Sequence, residues 1–194
     1  MDSHYKRVMM GGGLGIALLV GMMMKETPEE SRVQRTVTVQ EGHSHEGGPG
    51  HELLAEGTAA PDFRLPMTDG KTLGPEDLRG SYSILLFVTP TCPYCKELKT
   101  RLLDRDVPVK DRLIFITPGG VDPEKLSAEQ RKVEAHVAAA FPVLSDRSRT
   151  IAGEYNAAAV PTAYLLDEEG RIAGAGLGVE EGMALVERLL EKSS

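Results

Sequence analysis

Both cysteines of this 194-residue chain lie within Thr89–Leu98, which reads TPTCPYCKEL. The residues that lead into it, Ser83–Thr89 or SILLFVT, are apolar almost throughout and too few for a typical helix, so they predict a buried central strand. Pro93 suits the first position of a helix, where its missing N–H would be unpaired in any case. The sequence therefore predicts that the chain passes from a buried strand into a helix at Cys92.

The position of Cys92 at the start of a helix favours its ionised form. Free backbone N–H groups and the helix dipole stabilise an anion there, so we expect the thiolate to be favoured over the thiol. Cys95 follows within one helical turn, where its sulfur can bond to that of Cys92. The pair therefore predicts a dithiol that opens and closes as a disulfide.

Two other interpretations of the cysteine pair are half of a metal site and a structural disulfide without chemistry. A structural zinc ion takes four ligands. The sequence has no second C-x-x-C motif and no His-x-x-x-His motif that could complete such a site. We favour the redox dithiol and predict neither a metal nor a cofactor.

From residue 59 onward the hydrophobic pattern predicts strands and helices in alternation. Alternating residues followed by a turn at Ala60–Lys71 predict a hairpin. The further predicted strands are 83–89, 113–117, 142–144, 160–166 and 171–175, and the predicted helices are 92–106, 122–141, 147–155 and 180–192. Because a helix connects the first two of these strands, they should be parallel. The predicted fold class is α/β, with a central mixed sheet flanked by helices and an N-terminal hairpin.

The residues before 59 predict a membrane anchor and a linker. Val8–Met24 carries no charge and is just long enough to span a bilayer, whereas a cleaved signal has a shorter apolar part and a small-x-small site. Lys6 and Arg7 favour the cytoplasmic side, so the rest of the chain should face outward. We predict a cytoplasmic N-terminus, a single-pass signal anchor in the inner membrane, a disordered linker and a periplasmic domain, at residues 1–7, 8–24, 25–58 and 59–194.

Composition excludes two classes of protein. The chain has 22 Lys and Arg against 29 Asp and Glu, which gives a net charge of −7. Nucleic-acid-binding domains need a basic surface, so we predict no nucleic-acid partner. Two cysteines are also too few for the disulfide framework of a small secreted scaffold.

Two longer stretches resemble a known family. Residues 60–80, APDFRLPMTDGKTLGPEDLRG, and 141–172, FPVLSDRSRTIAGEYNAAAVPTAYLLDEEGRI, resemble the family that unites alkyl hydroperoxide reductases with membrane-anchored TlpA- and ResA-type thiol–disulfide oxidoreductases. The stretch around the cysteines resembles the active site of MauD-type proteins, accessory disulfide oxidoreductases of methylamine dehydrogenase maturation. The resemblance covers about residues 60–192 and implies a thioredoxin-like fold.

The resemblance also implies roles for individual residues. Cys92 and Cys95 would form the redox-active disulfide, with Cys92 as the attacking thiol and Cys95 as the resolving thiol. A cis-proline that faces the pair, the residue before it and the two residues between the cysteines would contact the substrate. Those four positions are Pro161, Val160, Pro93 and Tyr94.

Two positions depart from the family pattern. Thioredoxins carry a buried Asp six residues before the first cysteine, where this chain has Leu86, so the group that accepts the proton of Cys95 is not identified. The family's usual Trp just before the first cysteine is Thr91 here. We therefore expect substrate contacts at the rim of the site to differ.

The sequence as a whole predicts a membrane-tethered disulfide reductase. Its substrates would be disulfides of exported proteins, as in cytochrome c maturation, and its electrons would come from a membrane partner. A peroxidase is one alternative, but of the peroxiredoxin pattern Pro-x-x-x-Thr-x-x-Cys the chain keeps Thr89 and has Leu85 at the proline position. A copper chaperone of this fold is another, but it would use C-x-x-x-C, one residue longer than the spacing here.

Overall fold

A fully buried strand lies at the centre of the domain. In the computed structural model, which describes residues 52–193, all five residues of Ser83–Phe87 are buried. The strands are β1 Leu65–Pro66, β2 Thr72–Leu73, β3 Ser83–Phe87, β4 Leu113–Pro118, β5 Val143–Asp146, β6 Thr162–Leu166 and β7 Ile172–Leu177. The α-helices are α1 Pro93–Leu103, α2 Ala128–Ala140, α3 Thr150–Glu154 and α4 Val179–Lys192.

Strands β3 to β7 form one sheet in the order β5-β4-β3-β6-β7. β3 is parallel to β4, and β4 is parallel to β5. β6 is antiparallel to both β3 and β7, so the sheet is mixed. β1 and β2 form a separate antiparallel hairpin with Leu65 opposite Leu73. The predicted fold class is confirmed, including the parallel first pair of strands and the N-terminal hairpin.

The side chains of β3 alternate between two hydrophobic clusters, one on each face of the sheet. Ile84 and Leu86 belong to the cluster that α1, α2 and α4 cover. Leu85 and Phe87 belong to the cluster that α3 and the hairpin cover. Because helices or loops bury both faces, the strand is apolar at every position rather than at alternate ones.

The helix predicted at 122–141 consists of two pieces in the structure. Pro123–Lys125 forms a short 3₁₀ turn, and Leu126 is extended with a ψ of 142°. α2 begins only after Ser127, whose hydroxyl accepts the N–H of Gln130 at 3.1 Å while the Gln130 side chain accepts the N–H of Ser127 at 2.8 Å. This reciprocal pair is a capping box, and it fixes the start of the helix at that point.

The helix predicted at 147–155 is also shorter in the structure, where α3 spans Thr150–Glu154. Arg149 has a φ of 61°, in the left-handed region, and a right-handed helix cannot continue through that conformation. The buried carboxylate of Asp146 accepts the N–H of Ala152 at 2.9 Å, which satisfies a donor of the first turn. Backbone geometry and a capping carboxylate therefore shorten this helix.

The folded domain begins before the predicted boundary at residue 59. Leu53 and Leu54 pack against the cluster on the α3 face of the sheet. The N–H of Leu54 donates to the Tyr164 hydroxyl at 3.2 Å, and the N–H of Gly57 donates to the Ile172 carbonyl at 2.7 Å. The last residues of the predicted linker are therefore part of the domain.

The predicted anchor at 8–24 and most of the predicted linker lie outside the described residues. Among residues 52–193, no helix has both the length and the apolar character that crossing a membrane requires.

Candidate active site

The cysteine pair lies where the buried strand β3 leads into α1. Cys92 is the N-cap of the helix, with an extended backbone (φ −80°, ψ 124°), and Pro93 is the first helical residue. The Cys92 sulfur accepts the N–H of Cys95 at 3.3 Å, as a capping group does. The structure thus has the strand, the cysteine and the helix in the order that the sequence predicts.

The two thiols differ in their access to solvent. Cys92 is partly exposed, whereas Cys95 is 0% exposed and lies in the cluster beneath α1. Burial raises the pKa of the Cys95 thiol from 9.0 to about 12; the Thr89 backbone and Lys99 lower it, and Cys92 raises it further. A substrate disulfide can therefore reach the Cys92 sulfur but not the Cys95 sulfur.

Val160 and Pro161 lie against the cysteine pair. The thiol of Cys92 donates to the Val160 carbonyl at 3.5 Å, across a separation of 68 residues. The Val160–Pro161 peptide bond is cis, as the resemblance implies, and Pro161 is buried. Sheet topology explains the contact, because β3 and β6 are antiparallel neighbours and the end of β3 lies beside the start of β6.

An apolar groove with an acidic rim opens on the α4 side of Val160. Its volume is about 620 Å³, and it includes two of the three exposed large hydrophobic residues of the described chain, Tyr94 (63% exposed) and Leu177 (37% exposed). Its other lining residues are Glu97, Ala159, Val160, Pro161, Gly178, Val179, Glu180 and Glu181. The groove can hold an apolar side chain next to the reactive sulfur.

The charge of this groove is negative. Arg101 pairs with both Glu97 and Glu180, at 2.6 and 2.9 Å. Among the described residues, Glu181 has no ion-pair partner within 4 Å. The rim of the groove thus has three carboxylates and one guanidinium, so its net charge is negative. This charge favours a basic segment of a binding partner.

A second pocket, of about 550 Å³, opens on the other side of Val160. It is lined by residues of α3 and by Thr89, Thr91 and Arg149. Its lining is more polar, with two hydroxyl groups and a guanidinium. The reactive cysteine therefore lies between an acidic apolar groove and a polar pocket.

All six residues predicted for the site lie around this junction. Cys92, Pro93, Tyr94 and Cys95 form the start of α1, and Val160 and Pro161 face them from the loop before β6. Leu177 and Glu181 also line the groove, and the sequence does not predict them. Leu177 comes to the groove because it pairs with Thr162 across β6 and β7, and no local pattern signals that register.

Comparison with the sequences of known proteins identifies the family of the chain. Residues 57–175, more than half of the chain, match the AhpC/TSA family. The chain belongs to the AhpC/TSA family. Similar proteins include thioredoxin-like protein YneN of Bacillus subtilis, 28% identical over 64% of this chain and 73% of that protein. Sporulation thiol-disulfide oxidoreductase A of Bacillus subtilis is 32% identical over 56% of this chain and 68% of that protein.

Solved structures show the same fold. A thiol:disulfide interchange protein DsbE of Chlorobium tepidum has a TM-score of 0.55 and 24% identity over 73% of this chain and 99% of that one. The exposed lipoprotein thioredoxin Etrx1 of Streptococcus pneumoniae has a TM-score of 0.52 and 25% identity over 68% of this chain and 99% of that one. The AhpC/TSA domain described here therefore has a thioredoxin-like fold, and with its paired thiols the chain is a thiol–disulfide oxidoreductase.

Proposed function

We propose that the chain reduces disulfides of exported proteins from a membrane-tethered position outside the cytoplasm. The observation that carries the chemistry is the pairing of an accessible Cys92 at a helix start with a buried Cys95 one turn later. Only an accessible sulfur can attack a protein disulfide, and only a neighbour held within one turn can release the product. The arrangement supports a division of roles between the two thiols.

The reaction has two exchange steps. The Cys92 thiolate attacks one sulfur of the substrate disulfide, forms a mixed disulfide and expels the other substrate sulfur as a thiolate, which takes a proton. The Cys95 thiol then loses its proton and attacks the Cys92 sulfur, so that the Cys92–Cys95 bond forms as the bond to the substrate breaks. The substrate gains two electrons and two protons, and a membrane electron donor of the dithiol class restores the reduced pair.

The substrate segment would bind across Val160 in an extended form. The groove beside Tyr94 and Leu177 would hold an apolar side chain near the substrate cysteine. Glu181 and the other rim carboxylates favour a basic residue in the same segment. The preferred substrates are therefore exported proteins whose cysteines have apolar and basic neighbours, and cytochrome c precursors are the first class to test.

The proposed location rests on the N-terminal sequence. The uncharged segment 8–24 after Lys6 and Arg7 supports an anchor whose C-terminal side faces outward. One structural neighbour, Etrx1, is described as an exposed lipoprotein, which agrees with work at a cell surface. Labelling intact cells with a membrane-impermeant thiol reagent tests this location, with Cys92→Ser as the unlabelled control. Labelling that needs lysed cells would contradict it.

Trapping the mixed disulfide tests the chemistry. Full-length Cys95→Ser should accumulate a disulfide between Cys92 and exported proteins, because the releasing thiol is missing. Cys92→Ser is the matched control and should trap nothing. Mass spectrometry of the attached proteins identifies the substrates, and trapping by Cys92→Ser alone would mean that the roles of the two cysteines are reversed. Peroxide consumption by the purified protein at a rate above its disulfide exchange would favour the peroxidase alternative.

A further inference from the structure

A charged side chain lies in the hydrophobic cluster that contains Cys95. Lys99 is 1% exposed, although it is a residue type that proteins almost never bury completely. It follows Cys95 by four positions in α1, so the two side chains lie on the same buried face of the helix. Its ammonium donates to the carboxylate of Glu134 on α2 at 2.5 Å, and the Glu134 side chain is 18% exposed.

Stability alone does not explain this ion pair. Transfer of two charges out of water costs several kcal/mol per ion, by order of magnitude, and replacement of such a pair by apolar side chains is often neutral or stabilising. Among the described residues, Lys99 is the only buried Lys or Arg. The other basic residues of α1 form their ion pairs at the surface, as Lys96 does with Glu129 at 2.5 Å. A function for the buried charge is the better explanation.

The surroundings of Cys95 show what that function is. The second exchange step needs Cys95 as a thiolate, but Cys95 lies in a hydrophobic cluster beside Leu86 and Val88, where only the Thr89 backbone, just after β3, lowers its pKa from outside α1. From its own helix, the groups whose charge acts on the Cys95 sulfur are Cys92 and Lys99. Four carboxylates of α2 and α4 are each bound to a cation of α1 or of the residues just after it: Glu129 to Lys96, Glu134 to Lys99, Glu180 to Arg101 and Glu187 to Arg105. Glu181 of α4 lines the groove at Tyr94 instead.

We propose that Lys99, held in place by Glu134, is a positioning residue for the second exchange step, where its buried ammonium stabilises the Cys95 thiolate that attacks the mixed disulfide. This inference rests on the proposed function, since it assigns Cys95 the resolving role. In the step, the Cys95 thiol gives its proton to solvent, the Cys92–Cys95 bond forms, and the sulfur that leaves Cys92 takes the electron pair and then a proton. Lys99 forms no bond to the reacting sulfurs and acts through its charge.

A single experiment separates the two exchange steps. The reduced full chain, purified in detergent, is mixed with one equivalent of 5,5′-dithiobis(2-nitrobenzoate) in a stopped-flow instrument. Attack by Cys92 releases a first thionitrobenzoate anion at a rate that depends on reagent concentration. Attack by Cys95 on the mixed disulfide releases a second anion at a rate that does not. Both rates are measured from pH 6 to pH 10.

Lys99→Met should slow the second phase and leave the first unchanged. If the pKa of Cys95 rises by one unit, about tenfold less of the thiol is ionised. The thiolate that remains is about threefold more nucleophilic, so the second phase slows about threefold in total. Lys99→Arg, which keeps a positive charge at this position, should retain the parental second-phase rate, whereas a merely structural defect would slow this variant as well. Lys96→Met is the matched control: it removes a cation with the same α2 pairing from the exposed face of the same helix.

A double variant protects the test against misfolding. Lys99→Met alone leaves the Glu134 carboxylate without its partner, whereas Lys99→Met with Glu134→Leu removes both charges and keeps the volume filled. The double variant should also close its ring about threefold more slowly. Ring closure at the parental rate in the double variant would overturn the role of Lys99. A parent protein with no second phase would instead overturn the resolving role of Cys95 and the proposed function with it.

Discussion

At the scale of single residues, burial gives two chemically identical side chains different properties. Cys92 and Cys95 are separated by only two residues, yet one caps a helix at the surface and the other lies in the core. Desolvation disfavours a buried thiolate, and it accounts for most of the raised pKa of Cys95. The same burial keeps external reagents away from Cys95, so that Cys95 reacts only with a mixed disulfide on the neighbouring Cys92.

The raised pKa of Cys95 predicts a loss of stability at alkaline pH. In the unfolded chain this thiol ionises near pH 9.0, but in the folded protein it holds its proton to about 12. Between these values the folded state binds more protons, so the free energy of unfolding of the reduced protein falls as pH rises. Between pH 8 and pH 10, the free energy of unfolding measured in urea should fall by about 1 kcal/mol more in the reduced parent protein than in Cys95→Ser. Equal losses in the two proteins would contradict the buried thiol.

The free carboxylate of Glu181 predicts a preference among substrates. A peptide disulfide with Lys beside its cysteine should react faster than the same peptide with Glu there, and Glu181→Lys should reduce that ratio about two- to fivefold, as expected of an exposed charge pair. High salt should weaken the preference. Glu169→Lys is the control, because Glu169 lies in the turn at the other end of β6 and β7. An unchanged peptide ratio in Glu181→Lys would exclude this rim from recognition.

At the scale of elements, the site depends on how closely α4 approaches β7. A methyl group added at Gly176 would lie 2.6 Å from the Cβ of Glu181, so the start of α4 can come this close only over glycine. The residues that form the rim of the groove, Gly178–Glu181, belong to that start. The shape of the groove is therefore set by a glycine that has no contact with the reactive sulfur.

Gly176→Ala should displace this edge of the groove. The overpacked contact should lower the free energy of unfolding by about 1–3 kcal/mol and raise the KM for a peptide disulfide severalfold. The rate with a small aromatic disulfide should stay unchanged, because the Cys92 junction does not move. Gly153→Ala is the control, because Gly153 lines the second pocket and not the groove. Its methyl group would meet no atom within 4 Å, and alanine at this exposed position of α3 should stabilise the protein slightly. Equal KM values for parent and Gly176→Ala would show that the helix start does not shape the groove.

At the scale of the whole molecule, the domain includes residues that look like linker. Leu53 and Leu54 cover part of the cluster on the α3 face, and the backbone of Glu52 accepts a hydrogen bond from Asn156 at 3.1 Å. A chain that starts at residue 52 should therefore be more stable than one that starts at residue 59. The expected difference in the free energy of unfolding is about 2 kcal/mol, for two partly buried leucines.

The two shortened chains also test the proposed membrane tether. Both lack segment 8–24, and both should exchange disulfides in solution, because Cys92, Cys95 and Val160 all lie within them. Neither should restore reduction of exported proteins in cells that lack the full chain, since the proposed anchor brings the site to its electron donor. Unfolding in urea measures the first difference, and the redox state of a trapped substrate measures the second. Full activity of the untethered chains in cells would contradict the membrane proposal.

The sequence by itself determined the junction at the centre of the fold. An apolar run, a cysteine and a proline in that order specify a buried strand that leads into a helix, because each signal acts over a few residues. The same local logic predicted the hairpin and the parallel pair of strands. It failed at α2 and α3, where a capping box at Ser127 and a left-handed Arg149 set the helix ends.

Only the tertiary structure decided what surrounds the reactive sulfur. Val160 reaches Cys92 across 68 residues because β3 and β6 are neighbours, and Leu177 reaches the groove because β7 pairs with β6. Lys99 looks like any exposed helix lysine in the sequence, and its burial depends on where Glu134 of α2 lies. Burial, register and buried charge depend on how distant elements pack, and no pattern within a few residues carries that information.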